Sequence, residues 1–275
     1  MNAAEIEYWV DQLFPGEMSI YEIAPGVAEG GNQPSPDQVF CAGNFNFDEQ
    51  LDLSCTLDLS RLDFALRTSK GEEVRVEFFT VVAQDPGPES VVGAHSLRAS
   101  AVEAHSLRAS AALLEEDADA HNPPTLSAFL VTTAAALMRS RSVSGPQGEQ
   151  QSLAPTPGTL LADAVTLGLQ AAAESGAAHP AHPTVSHFVV AVPHVWANGV
   201  PQLTEPPGEV SLHDGDSGPF PGSRLALGRI TTVAQLIALT DAEFEYAQRE
   251  GSDAVLQAIA DAGADPRDLC RESVI

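Results

Sequence analysis

Eight histidines, three cysteines and a large excess of carboxylates are the residues through which this chain could do chemistry, and their spacing limits what they can do. Four histidines fall in one stretch: His179, His182, His187 and His194. They do not form the helical two-histidine, one-glutamate zinc pattern, and alternation along a strand would put His187 and His194 on opposite faces. Asp52 and Asp58 would share a strand face, but at about 3.3 Å per residue they lie about 20 Å apart, too far for the paired acids of glycoside hydrolysis. Cys41, Cys55 and Cys270 are odd in number and widely spaced, which describes neither a disulfide scaffold nor a structural zinc site. The acids of the HDGDSG segment miss the alternating ligands and closing glutamate of a calcium loop. PTPG at 155–158 lacks a glycine-rich phosphate fingerprint.

What remains is chemistry of recognition. Trp196, Asn198 and Gly199 fall in a turn after a strand, with His187 and His194 before them; either Trp196 is tucked over the sheet edge, or the aromatic anchor and polar tips meet a partner peptide. Asp241, Glu243 and Glu245 crowd the first turns of a helix and offer a basic partner an acidic face. Arg75 and Glu77 share one face of a β-rich run and read as a surface pair. An alternative grouping sets Glu77 with His187 or Trp196 in a polar groove at the loop end of a sheet, as a small-ligand or enzymatic site.

The elements that must carry these residues are legible in the patterning. Ile6, Trp9, Val10 and Leu13 predict a short amphipathic helix ended by Pro15 and Gly16. Ser19–Ile23 reads as a strand, followed by a turn-rich connector over 25–36. Within 45–60, Leu51, Leu53, Cys55, Leu57 and Leu59 alternate with Asp52, Ser54, Thr56, Asp58 and Ser60, which predicts a strand with one buried and one wet face. EEVRVEFFTVVA at 72–83 predicts a central strand. AHSLRAS occurs at 94–100 and again at 104–110, within a stretch whose helix formers predict a helix over 99–116. TLSAFLVTTAAALM at 125–138 predicts a buried helix. Residues 140–156 and 205–224 read as long loops.

Farther on, Thr156 and Pro157 read as the cap and first position of an alanine-rich helix over 158–175, stopped by Gly176. Val185–Val192 is a strand ended by Pro193. Thr231–Leu239 is a strand feeding a helix in which Thr240 and Glu243 can form a capping box, Gly251 marks either a break into two helices or a close approach to a neighbouring element, and Gly263 is the stop.

Formal charge is -25, from 38 acidic and 13 basic residues, which argues against a nucleic-acid backbone as partner. No run approaches 18 apolar residues and the N-terminus lacks an export signal's order, so a cytoplasmic location is expected.

PTVSHFVVAVPHVWANGVPQL at 183–203, LIALTDAEFEYAQREGSDAVLQAI at 236–259 and the closing RESVI together resemble the suppressor-of-fused domain family, with a weaker match at Glu77-Phe78-Phe79. The resemblance implies a mixed α/β (α+β) fold, a largely antiparallel sheet covered by helices. The strands on both sides of 140–156 need a common sheet, so one domain over 1–275 is expected; 84–155 fits the resemblance poorly and is expected to be a variable helical and loop insertion in it. The resemblance also implies a protein-binding module with no catalytic residues and no cofactor; some bacterial members look like immunity proteins. The expectation is therefore a cytoplasmic protein-interaction domain, not an enzyme, that binds a basic protein through acidic surface, possessing neither a nucleic-acid nor a membrane partner.

Overall fold

The structure is a computed structural model that describes residues 3–24, 39–48, 50–84, 124–141, 154–207 and 227–275. The connector over 25–36, the repeated AHSLRAS with the helix expected over 99–116, and most of the two long loops lie outside the described residues.

Among the described residues, eight strands form one mixed sheet and five α-helices cover it. The elements are α1 (Ala3–Asp11), β1 (Glu17–Ile23), β2 (Phe40–Asp48), β3 (Leu51–Thr56), β4 (Glu73–Ala83) and α2 (Leu126–Arg141). After these come β5 (Leu160–Leu161), α3 (Ala164–Ser175), β6 (Val185–Ala191), β7 (Gln202–Glu205), β8 (Arg229–Thr240), α4 (Asp241–Glu250) and α5 (Ser252–Ala262). Strand order is β1-β2-β3-β4-β8-β6-β5, with β7 also paired to β8. Only β4 and β8 run parallel; every other pairing is antiparallel.

Helices cover both faces. On one, α2 and α3 close over Val76, Phe78, Phe188 and Val190. The α2 sequence is apolar nearly all round because the sheet takes one side and α3 another. Gly168 permits that approach: a Cβ there would stand 2.7 Å from Leu130 Cδ2 and 3.2 Å from Leu130 Cα. On the opposite face, Ile6 and Val10 of α1 pack over Phe45, Leu53, Cys55 and Phe79, while α4 and α5 cover Val189, Ala191, Ile237 and Leu239.

Three expectations are corrected. The alternating run from Leu51 does not have a wet face: all of β3 is buried, with Asp52 at 5% and Asp58 at 9% exposure. Its polar side meets the head of α2, where Ser127 donates its amide (2.8 Å) and hydroxyl (2.6 Å) to Asp52, and Asn44 donates to Asp52 at 2.7 Å. The helix expected from Gly158 starts later, at Ala164. Before it the chain pairs with β6, where Gly158 donates to Val190 O at 2.7 Å and receives its turn from a φ of +94°. Arg75 and Glu77 are not a surface pair either; both are buried and each has other partners.

The capping box forms as patterned: Glu243 N donates to Thr240 Oγ1 at 3.3 Å and Thr240 N to Glu243 Oε2 at 2.9 Å. Gly251, at φ 96°, ψ 155°, divides α4 from α5. That region of backbone space is open to glycine and almost nothing else. The last residues then cross the end of the sheet, where Ala83 donates to Arg267 O, Thr184 to Leu269 O, and Leu269 sinks into the α2/α3 core.

Candidate functional site

β6 and β7 lie on the same edge of β8, and between them the chain leaves the sheet. Ala191 pairs with Gln235 and Gln202 with Thr232, so β8 spans with Val233 and Ala234 what the other strand spans with Val192–Pro201. A strand that must fit so many residues into so short an interval has to project them. Pro193 ends β6, having no N–H to give to a ladder, and is itself buried.

Two anchors hold this excursion. Trp196 is half-buried, its ring 5.7 Å from that of Phe14 and 5.8 Å from that of Phe79, and Val200 packs into the same cluster beneath α1. Around these anchors the excursion shows solvent a mixed surface. Val195 is 61% and Val192 44% exposed, and His194, Asn198 and Gly199 are exposed beside them. Gly199 makes the return turn at φ 92°. Sequence does not single out Val195, because a β-branched residue before a tryptophan reads equally well as core.

His187 sits elsewhere. Val185 pairs with Thr240 and His187 with Leu239, a β-bulge that sets two residues of β6 against one of β8. Val185 therefore joins the α2/α3 core, while His187 turns to the opposite face and stacks on Phe244 of α4 at 4.1 Å. At 9% exposure the ring is enclosed rather than part of a rim. Asp163 N donates to Nδ1 at 2.8 Å, and Nε2 lies 3.1 Å from Asp241 Oδ1. With Nδ1 accepting, the neutral ring carries its proton on Nε2 and its one free lone pair is engaged by the Asp163 amide.

Of the three acids on α4, Asp241 and Glu245 are exposed, whereas Glu243 is fully buried. Glu243 receives Arg271 Nη1 at 2.6 Å, Arg271 Nη2 at 2.7 Å and Val274 N at 3.1 Å, besides its capping bond. Burial raises its carboxyl, but these donors outweigh burial and hold it below the ordinary glutamate range. Its expected place on the acidic face gives way to a structural one.

Glu77 is likewise fully buried. Thr56 Oγ1 lies 2.5 Å from Oε2, Leu59 N donates to Oε2 at 3.1 Å, and Ser60 N donates to Oε1 at 3.0 Å. The carboxyl thus holds the first amides of the short 3-10 turn Leu59–Arg61. Burial pushes its pKa up to about 8 against the lowering effect of these donors. Val233, opposite Glu77, and Leu239, opposite His187, are six positions apart on β8, which separates the two side chains by roughly 20 Å at the usual rise. The grouping of Glu77 with His187 is not formed.

Beside it runs a row of buried charge that the sequence did not disclose. Glu73 contacts Arg75 and receives Arg229 Nη2 at 3.3 Å; Arg229 Nη1 stands 3.5 Å from Glu205, and Arg75 Nη1 donates to Ser60 O at 3.3 Å. Burial lowers the Arg75 pKa, with Glu73 opposing the shift.

No family model matches the chain, and no curated protein does. Solved structures resemble it at low identity. The crystal structure of the Sufu–Fu complex is 13% identical, with 98% of this chain and 91% of that chain covered and a TM-score of 0.46. A suppressor-of-fused homologue from Neisseria gonorrhoeae is 10% identical, with 99% and 94% covered and a TM-score of 0.44. Drosophila Suppressor of Fused is 13% identical, with 86% of this chain but 43% of that chain covered and a TM-score of 0.39.

Proposed function

We propose that this chain is a protein-interaction domain, and that the Val192–Pro201 excursion is where a partner protein seats. The observation that carries the reading is an exposed apolar pair, Val192 and Val195, on a loop whose own tryptophan is spent on anchoring it. A fixed loop that presents aliphatic groups among polar tips meets the usual anatomy of an interface, an apolar centre with a polar rim. His194 and Asn198 supply that rim.

The partner is a basic protein. Exposed Asp241 and Glu245 on α4, which lies over the same sheet face as Trp196, and a chain charge of -25 favour a cationic surface through complementarity. In its finer form the reading is an inhibitor of immunity type that covers such a surface, residues 1–275 acting as one domain and 84–155 as an insertion in it.

The test uses the full chain as bait in extract of its native cell, alongside Val195→Asp. A stoichiometric partner of high isoelectric point, retained by the native chain and lost by the variant, is the expected result. Absence of any stoichiometric partner, or equal retention by Val195→Asp, overturns the reading.

A further inference from the structure

His187 stands where three special backbone positions meet. The β-bulge before it turns the ring onto α4. Asp163, the cap residue of α3, adopts φ 60°, ψ 10°, a left-handed conformation that non-glycine residues seldom take. Asp241 is the first residue of α4. The ring joins all three: it accepts the Asp163 amide on Nδ1 at 2.8 Å, faces Asp241 Oδ1 from Nε2 at 3.1 Å, and lies on Phe244. The Asp163 carboxylate stands 3.7 Å from Nδ1. Among the described residues, the charged groups placed on the ring are these two carboxylates, one from the head of α3 and one from α4. Across the ladder β8 contributes Leu239.

We propose that His187 is a proton-operated latch between the heads of α3 and α4. A second proton on the ring makes Nδ1 a donor, and it can no longer accept the Asp163 amide. The bond from Asp163 N to Nδ1 breaks. The bond that replaces it runs from Nδ1–H to the Asp163 carboxylate, which has only a short distance to travel and is 69% exposed. Asp163 then loses the contact that holds its left-handed backbone, and the first turn of α3, closed by Leu167 N on Asp163 O at 3.0 Å, loosens. On the other side the imidazolium compensates Asp241, so α4 presents one negative charge fewer. Imidazole is the side chain suited to this task, since its charge changes within the physiological range. The latch does not depend on the partner reading above.

The test is nuclear magnetic resonance of the full chain, following the His187 ring and the Asp163 amide from roughly pH 8 to 5. The Asp163 amide is expected to shift with the midpoint of the ring. Its exchange, corrected for the intrinsic pH dependence, should accelerate roughly tenfold as the local opening becomes easier. In His187→Asn an acceptor oxygen takes the place of Nδ1 without titrating, and the Asp163 amide should stay indifferent to pH. An amide that ignores the ring's midpoint, or responds equally in His187→Asn, overturns the latch. Should that variant fail to fold, Asp163→Asn and Asp241→Asn provide the second test: each lowers the ring's midpoint if both carboxylates favour the imidazolium, and an unchanged midpoint in both overturns the proposal.

Discussion

Glu77 is a buried carboxyl whose hold on its proton is strengthened by burial. Its folded pKa of about 8 lies above the ordinary 4.5 because burial outweighs three hydrogen-bonding neighbours. The folded chain therefore binds this proton more tightly than the unfolded chain. The resulting stability is whole below about pH 4.5 and is lost as pH rises through about 8, on the order of a few kcal/mol in all. Asp58, raised by burial to about 6, acts in the same sense over a narrower window. Glu77→Gln keeps an acceptor for the turn amides without titrating. The variant is expected to match the native chain near pH 5 and exceed it in melting temperature near pH 9, as read by thermal unfolding at each pH. Parallel melting curves across that range would show that Glu77 does not titrate in this way. None of this is legible in EEVRVEFF. An acid on the face of a β-run looks like surface until the turn Leu59–Arg61 is known to fold over it, and that contact joins residues 18 positions apart.

At the scale of elements, sequence was most informative where a signal is local. The Thr240–Glu243 box, the Gly251 break and the Gly263 stop involve neighbours along the chain, and all three form. It was least informative where an element's surroundings decide. The alternation in β3 is real, but its polar side is buried because the head of α2 arrives with hydroxyl and amide donors. The closing RESVI stretch belongs to the second kind. Arg271 bridges Glu243 and Ala238 O, at 2.8 Å for the latter, so the chain's last residues tie α4 to β8. The stretches 183–203, 236–259 and 271–275 therefore meet in space: Thr184 Oγ1 donates to Arg271 O, and Thr240 Oγ1 to Ser273 Oγ. Removing one partner of a buried ion pair leaves the other uncompensated, at about 3–5 kcal/mol. Arg271→Ala is expected to lose that much in denaturant unfolding, and Arg271→Met with Glu243→Gln considerably less. Because Glu243 is held below its ordinary range, its contribution is present above about pH 4.5 and is lost as pH falls through the folded pKa. The penalty of Arg271→Ala should thus shrink in acid. A penalty as large at pH 3 as at pH 7 would place its origin in lost packing.

For the molecule as a whole, a charge of -25 sets two opposite responses to salt. Like charges spread over a compact fold repel one another, and unfolding relieves the repulsion by moving them apart. Added salt shortens the range of that repulsion, with a Debye length of about 30 Å at 0.01 M falling to about 10 Å at 0.1 M. Stability should therefore rise with sodium chloride over that interval. The interior pairs Glu243–Arg271 and Glu73–Arg75, shielded from solvent ions, should contribute little to the change. Association with a basic partner depends on the same charge but in the attractive sense, so its on-rate should fall as salt rises. Val192 and Val195 add an apolar contribution that salt does not screen, which should leave the dissociation rate much less affected. Melting temperature and association rate measured across one salt series distinguish this arrangement from its rivals. If both fall together, surface ion pairs hold the fold and the acidic exterior is not repulsive. If melting temperature rises while the association rate stays constant, the partner binds without using the charge.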